Sequence, residues 1–267
     1  MMETKILFIA DVVGEPGMNI LEKALPRLRM KFSPDLIIVN GENTRAGKGL
    51  SEGLARKYFQ LGINVITSGN HIWDFAAFHN TLNNPAYTNI IRPMNYPEGV
   101  PGRGFYLTTA SNGAKVCVIN LQGRTFMAPI DCPFKNIREF ISKMNSQAKI
   151  TIVDFHAEAT AEKITMGKYL DGYATAVIGT HTHVQTADDE IFPKGTAFIT
   201  DAGMTGPFDG VIGMKTETAL NRFRFQTPFK YEIAEGDERF NGVFIVADSD
   251  TGRAVSIERL NFKANEI

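Results

Sequence analysis

Cysteine is scarce: Cys117 and Cys132 are the only two in 267 residues. Neither shows the close thiolate spacing of a structural zinc site, and two lone thiols point to a reducing compartment, so a cytoplasmic protein is expected. Charge of one sign is lacking as well. The 28 Lys and Arg against 29 Asp and Glu leave a formal charge of -1, without the basic excess that displaces counterions from a nucleic-acid backbone. Stable nucleic-acid binding is therefore not expected, whereas a small charged ligand is compatible. No window approaches the roughly 18 uninterrupted apolar residues of a membrane span. The start, METKILFIADVV, carries an apolar stretch only as long as a buried strand and no small-residue cleavage site, so neither a membrane anchor nor a signal peptide is expected. Gly47-Lys48-Gly49-Leu50-Ser51 fails the spacing of a nucleotide-binding P-loop. GEPG after the first apolar run lacks the third glycine of a dinucleotide fingerprint. Trp73 and the phenylalanines are not interleaved with a basic stripe and read as core or pocket wall; Met166, Met204 and Met214 read as core too.

What is present is a globular composition, 43% hydrophobic and 21% charged, able to bury a sizeable core. Seven short β-branched runs recur, KILFIADVV, DLIIVNGEN, NVITSGNH, KVCVINLQG, ITIVDFHAE, ATAVIGTHTH and TAFITDAG, and each ends in polar or glycine residues. Helical periodicity lies between several of them, at 19–31, 51–61, 135–144 and 161–169. Ser51 reads as an N-cap, and Pro26 as a kink or limit of the first helix. The strands are nearly continuous in apolar character, so both faces are covered, as in layered α/β architectures. From Lys230 onward KYEIA, GVFIVADS and VSIERLNF alternate with turn-rich segments, which predicts an antiparallel meander closing a second sheet. One two-sheet domain spanning residues 1–267, with helices outside, is the expected architecture.

The polar residues fall where chemistry is expected. Asp11, Glu42 with Asn43, Asn70 with His71, His156, and His181 with His183 all follow directly after apolar strands, the edge at which open α/β sheets bind ligands. Carboxylates and imidazoles gathered on one rim would be costly unless cations filled it. Oxygen and nitrogen donors without sulfur suit iron, manganese, zinc or cobalt better than magnesium or calcium. Glu42 has two carboxylate oxygens and could bridge two ions about 3.5 to 4 Å apart, the spacing at which a shared hydroxide becomes a strong nucleophile. His181 and His183, two apart on an extended segment, share a face. His79 alone among the five histidines falls on a helix away from the strand ends. His71, next to Asn70, is placed to act as general acid, the alternative being a ring that only orients a ligand. Asp74 could orient His71 or simply answer a helix dipole. Arg45 and Lys48 could contact a phosphate oxygen or belong to a solvated loop, and Asp201 could support the site from behind. Base-recognising residues are expected in loops such as 92–103.

In this order the blocks FIADVVGEPG, VNGENTRAGKG, Gly69-Asn70-His71, DFHAEAT and Gly179-Thr180-His181-Thr182-His183 resemble those of the calcineurin-like metallophosphoesterases, most closely the bacterial YmdB branch. The resemblance runs from Lys5 to the Asp201–Pro207 block. It departs from the wider superfamily, whose first block reads Asp-x-His and whose bridging residue is usually Asp; here Asp11-Val12-Val13 and Gly41-Glu42-Asn43 stand there, as in the YmdB branch. The resemblance implies a four-layer αββα sandwich of two mixed sheets flanked by helices. It implies that Asp11, Glu42, Asn43 and His183 hold one metal and Glu42, Asn70, His156 and His181 the other, with iron the first expectation. Asn43 has an alternative as the cap of the following turn. The implied activity is hydrolysis of cyclic nucleotides, 2',3'-cyclic first and 3',5'-cyclic next, by attack of the bridging hydroxide. A phosphomonoesterase or protein phosphatase with the same site, or a nucleotide-binding regulator with little turnover, are the competing readings. Self-association is implied without a fixed number.

Overall fold

In the computed structural model, which describes residues 2–266, the first strand, β1 (Glu3–Ile9), is buried on both faces and feeds two different cores. Leu7 and Ile9 belong to one apolar cluster, Ile6 and Phe8 to another, as the two-residue period of a strand requires. The chain continues through β2 (Asp11–Val12), α1 (Gly14–Phe32), β3 (Leu36–Asn40), α2 (Glu52–Gln60), β4 (Val65–Thr67), α3 (Phe78–Asn83), β5 (Phe105–Thr109) and β6 (Lys115–Gln122). Then come α4 (Ile137–Met144), β7 (Ile150–His156), α5 (Thr160–Tyr169), β8 (Ala176–Thr180), β9 (Glu190–Ile191), β10 (Ala197–Ile199), β11 (Met204–Pro207), α6 (Thr216–Phe225), β12 (Glu238–Asp248) and β13 (Ala254–Lys263).

One sheet runs β2-β11-β12-β1-β3-β4, with β13 on the other edge of β12; the second runs β5-β6-β7-β8-β10-β9. Both are mixed. The pairs β1–β3, β3–β4, β6–β7, β7–β8 and β8–β10 are parallel, and β1–β12, β12–β13 and β5–β6 antiparallel. Three apolar clusters stack through the molecule. The outer face of the first sheet packs on α1, α2 and α3 through Leu21, Leu25, Tyr58 and Phe78. The two sheets meet through Phe8, Ile38, Val118, Ile152 and Ile178. The far face of the second sheet packs on α4 and α5 through Ile119, Phe155, Ile141 and Met166. This is the expected αββα layering, each such buried side chain contributing about 1.5–3 kcal/mol.

Local differences have physical causes. α1 begins at Gly14 rather than Asn19, because Pro16 sits in the first turn where no intrahelical N–H is needed, and Pro26 is carried inside the helix. Ser51 does cap α2, its Oγ accepting from Leu54 N at 3.4 Å. KYEIA is not a strand: within 230–234 only Ile233 makes an isolated bridge, to Met214. Its alternation arises because Tyr231 presses on Gly47 and Ile233 on Gly14. β12 and β13 do not close a second sheet either. β12 fills the edge of β1 left open by β3, so the C-terminal hairpin extends the sheet begun at the N-terminus.

Candidate metal centre

Parallel strands deliver their polar successors to one edge. Asp11 follows β1, Glu42 and Asn43 follow β3, Asn70 and His71 open a short 3₁₀ turn after β4, His156 ends β7, and His181 and His183 follow β8. Asp11, Glu42 and His156 are fully buried. Candidate ligand atoms of Glu42, His156 and His181 lie within 4.8 Å of one another.

His156 is the hub. Its Nε2 lies 2.9 Å from Glu42 Oε1, 2.9 Å from His181 Nδ1 and 3.1 Å from Asn70 Oδ1. One ring nitrogen carries one hydrogen or one lone pair and cannot satisfy three partners. Its other nitrogen is tied off: Thr180 Oγ1 donates to Asp154 Oδ1 at 2.7 Å and so accepts from His156 Nδ1 at 3.0 Å, turning Nε2 toward the cluster. His183 is oriented alike, Nδ1 donating to the Ile212 carbonyl at 3.0 Å and Nε2 facing Asn43 Nδ2 at 3.1 Å. His181 sets Nε2 against Glu158 Oε2 at 3.1 Å. Asn43 Nδ2 also reaches Glu42 Oε1 at 3.4 Å, so its amide faces the cluster rather than merely capping the turn. Glu42 thus touches both groups of residues.

The electrostatics ask for positive charge. Burial pushes the Asp11 carboxyl well above its usual range; Oδ2 accepts from His181 N at 3.0 Å, while Oδ1 is buried with no hydrogen-bond partner. Burial would also raise Glu42, but His156 outweighs it and holds that carboxyl at about 2. Burial would lower His156, yet Glu42, Asp11 and Asp154 lift it to about 9. Burial, with His156 beside it, drives His181 down to about 3, so that ring offers a lone pair. An orphaned carboxylate oxygen, a ring nitrogen shared three ways and a mixed oxygen and nitrogen donor set fit transition-metal cations.

His71 donates its backbone N–H to Glu42 Oε2 at 3.0 Å, and its Nδ1 lies 2.9 Å from Asp74 Oδ2. Asp74 stands at the C-terminal end of the 3₁₀ turn, not in a helix's first turn, so the dipole explanation fails and the orienting one remains. Arg45 is exposed and stacks on Phe75, 3.8 Å from its centroid, while Lys48 lies in the turn closed by Arg45 N and Gly49 O. Neither side chain hydrogen-bonds the cluster among the described residues. In the 92–103 loop, Arg92 turns inward onto the Pro93, Met94 and Pro101 carbonyls. Trp73 lies edge-on to Tyr96 at 5.2 Å and packs against the core, as a wall residue. The sequence reading missed Asp154, Thr180, Glu158 and Lys163. Only Glu158, two residues past His156, carried a spacing signal.

The family model described as "YmdB-like protein" matches residues 7–260. A 2',3'-cyclic-nucleotide 2'-phosphodiesterase from Bacillus subtilis (strain 168) is 48% identical over 256 residues, 96% of each chain. A putative phosphatase/phosphodiesterase from Mycoplasma pneumoniae is 38% identical, covering 97% of this chain and 93% of the relative. Among solved structures, a novel phosphatase from Mycoplasma pneumoniae superposes with a TM-score of 0.91 at 36% identity, covering 98% of this chain and 94% of that one. A hypothetical protein from Thermus thermophilus superposes with a TM-score of 0.89 at 38% identity, covering 97% of this chain and 99% of that one.

Proposed function

This chain belongs to the YmdB-like family, and on that premise we propose that it is a metal-dependent phosphodiesterase whose first candidate substrates are 2',3'-cyclic nucleotides. The observation that carries the reading is the convergence of Glu42, Asn70 and His181 on His156 Nε2, beside Asn43 facing His183. That division supports two half-sites sharing Glu42. Asp11, Glu42, Asn43 and His183 would hold one ion, and Glu42, Asn70, His156 and His181 the other, iron first, with manganese, zinc or cobalt as alternatives. When bound, such ions supply Lewis-acid charge at the phosphoryl oxygens and activate water.

The chain's own residues do the rest. Thr180 and the Ile212 carbonyl hold the His156 and His183 rings in the tautomers that offer Nε2. Asp74 holds His71 by Nδ1, leaving Nε2 to give a proton to the departing ester oxygen. A cavity of about 280 Å³ beside His183, walled by Val184, Met204, Phe208 and Ile212, supports room for a nucleoside next to the centre. Two unpaired thiols support a cytoplasmic location. No helix among the described residues is long and apolar enough to cross a membrane. The shared middle core supports reading 1–267 as one domain.

The test is to give metal-loaded protein 2',3'-cyclic AMP and, separately, the corresponding monophosphates. Conversion of the cyclic diester to nucleoside monophosphate, with the monoesters left intact, is expected. Faster phosphate release from the monoesters would replace the reading by a monoesterase, and cyclic ligand bound but unchanged would replace it by a binding protein.

A further inference from the structure

The segment carrying His181 and His183 is backbone-strained. Both residues sit at positive φ, +102° and +65°, a region costly for non-glycine residues that persists only when the surroundings impose it. Asp201, fully buried and two residues past the end of β10, holds the residue between them. Asp201 Oδ2 accepts from Thr182 N at 3.1 Å and from Thr182 Oγ1 at 2.7 Å, gripping the residue between the two histidines. Its main chain grips the segment again, with Asp201 N donating to Thr186 Oγ1 at 2.9 Å and Thr186 N to Asp201 O at 3.1 Å. Asp201 Oδ1 is fixed by Gly203 N at 2.8 Å.

A buried carboxylate this close to other acids needs its own cation. Lys163, on α5 and 1% exposed, donates Nζ to Asp201 Oδ2 at 2.5 Å. Its stem passes Gly179, where a Cβ would lie 1.7 Å from Thr200 O and 3.0 Å from Lys163 Cδ, so the close approach of β10 demands glycine there and the lysine stem runs alongside it. A lysine buried this completely is rare unless paired. Among the described residues it makes no hydrogen bond or ion pair with the residues assigned to the ions, and it has no role in the chemistry proposed above.

We propose that Lys163 and Asp201 are positioning residues that clamp Thr182, and through it hold His181 and His183 in their strained, metal-facing conformation. The inference rests on the metal-centre reading. Lys163 Nζ and both Thr182 donors meet on the one oxygen Oδ2, so the lysine fixes the carboxylate that takes both Thr182 bonds at once.

The experiment is a competition titration of Mn²⁺ against a chromogenic chelator, with thermal melts on the same samples, for wild type, Thr182→Val, Thr182→Ser and Lys163→Met. Thr182→Val removes one hydroxyl bond from a half-buried residue at constant volume. It is expected to weaken Mn²⁺ binding at least tenfold, within the 10- to 100-fold typical of residues that orient metal ligands, with a melting temperature lowered by no more than a few degrees; Thr182→Ser is expected to restore both. Lys163→Met, measured below its melting point, is expected to lose more. Wild-type Mn²⁺ affinity in both Thr182→Val and folded Lys163→Met would overturn the clamp. Should Lys163→Met fail to fold, wild-type affinity in Thr182→Val alone would overturn it. Wild type that binds no Mn²⁺ would remove the metal-centre reading together with the clamp, an outcome distinct from the others.

Discussion

Replacing Gly69 by alanine puts a methyl group where the His156 ring already is. A Cβ there would lie 2.2 Å from His156 Cδ2, 2.3 Å from Nε2 and 2.4 Å from Cγ. The backbone at Gly69 is extended, with φ of -160°, so the cost comes from space alone. His156 cannot rotate away, because Nδ1 is held by Thr180 and Nε2 by Glu42 in a fully buried pocket. The ring must retreat by about 1 Å to regain ordinary van der Waals distance in an interior packed this closely. Overpacking of this kind costs about 1–3 kcal/mol. Misplacement by about 1 Å of a group that positions the reaction costs about 10²-fold in rate. Gly69→Ala is therefore expected to fold, to melt a few degrees lower, and to lose about 10²-fold in kcat/KM on 2',3'-cyclic AMP together with bound metal, although it alters no candidate ligand. Wild-type kcat/KM and metal content in a folded Gly69→Ala protein would refute the reasoning.

His71→Ala is expected to keep its metal and lose about 10² to 10⁴ in kcat, the range for a positioned general acid; full activity with a natural substrate would end that role. Asp74→Asn, which weakens the grip on His71 Nδ1, should lose about tenfold, and a kcat equal to that of wild type would show that the carboxylate is dispensable. Cys117 is fully buried, and burial pushes its thiol up to about 12, whereas Cys132 is partly exposed. An alkylating reagent at about pH 8 attacks only thiolate, so one thiol should react quickly in the native protein and two after denaturation; two fast thiols in the native state would contradict the packing of β6.

The histidines and carboxylates were legible because each breaks an apolar run at its end. A polar residue just past IVN, ITS or VIG has no place in a two-faced strand and must serve the rim. Asp154 was illegible for the converse reason: inside ITIVDFH it occupies a strand interior, and only the fold shows that Asn40 and Thr67 reach it from the facing sheet and Thr180 from the adjacent strand. Lys163 reads as one more basic residue in a helix whose polar and apolar positions do not separate cleanly. Its burial depends on Gly179 and Asp201, 16 and 38 residues further along the chain. α6 was missed, and α3 was expected only as the helix carrying His79, because short helices with mixed faces carry little periodic signal, and α6 leaves Phe223 and Phe225 exposed. KYEIA misled because two apolar residues with alternate spacing look the same whether they pair with a strand or press on glycines.

The most direct measurement pairs metal content with hydrolysis of 2',3'-cyclic AMP in wild type and Asn70→Ala. Wild type is expected to hold two ions per chain and release nucleoside monophosphate, and Asn70→Ala to lose metal and product release together. Wild type that holds two ions yet leaves cyclic and linear diesters intact, or Asn70→Ala that keeps both its metal and its turnover, would contradict the account.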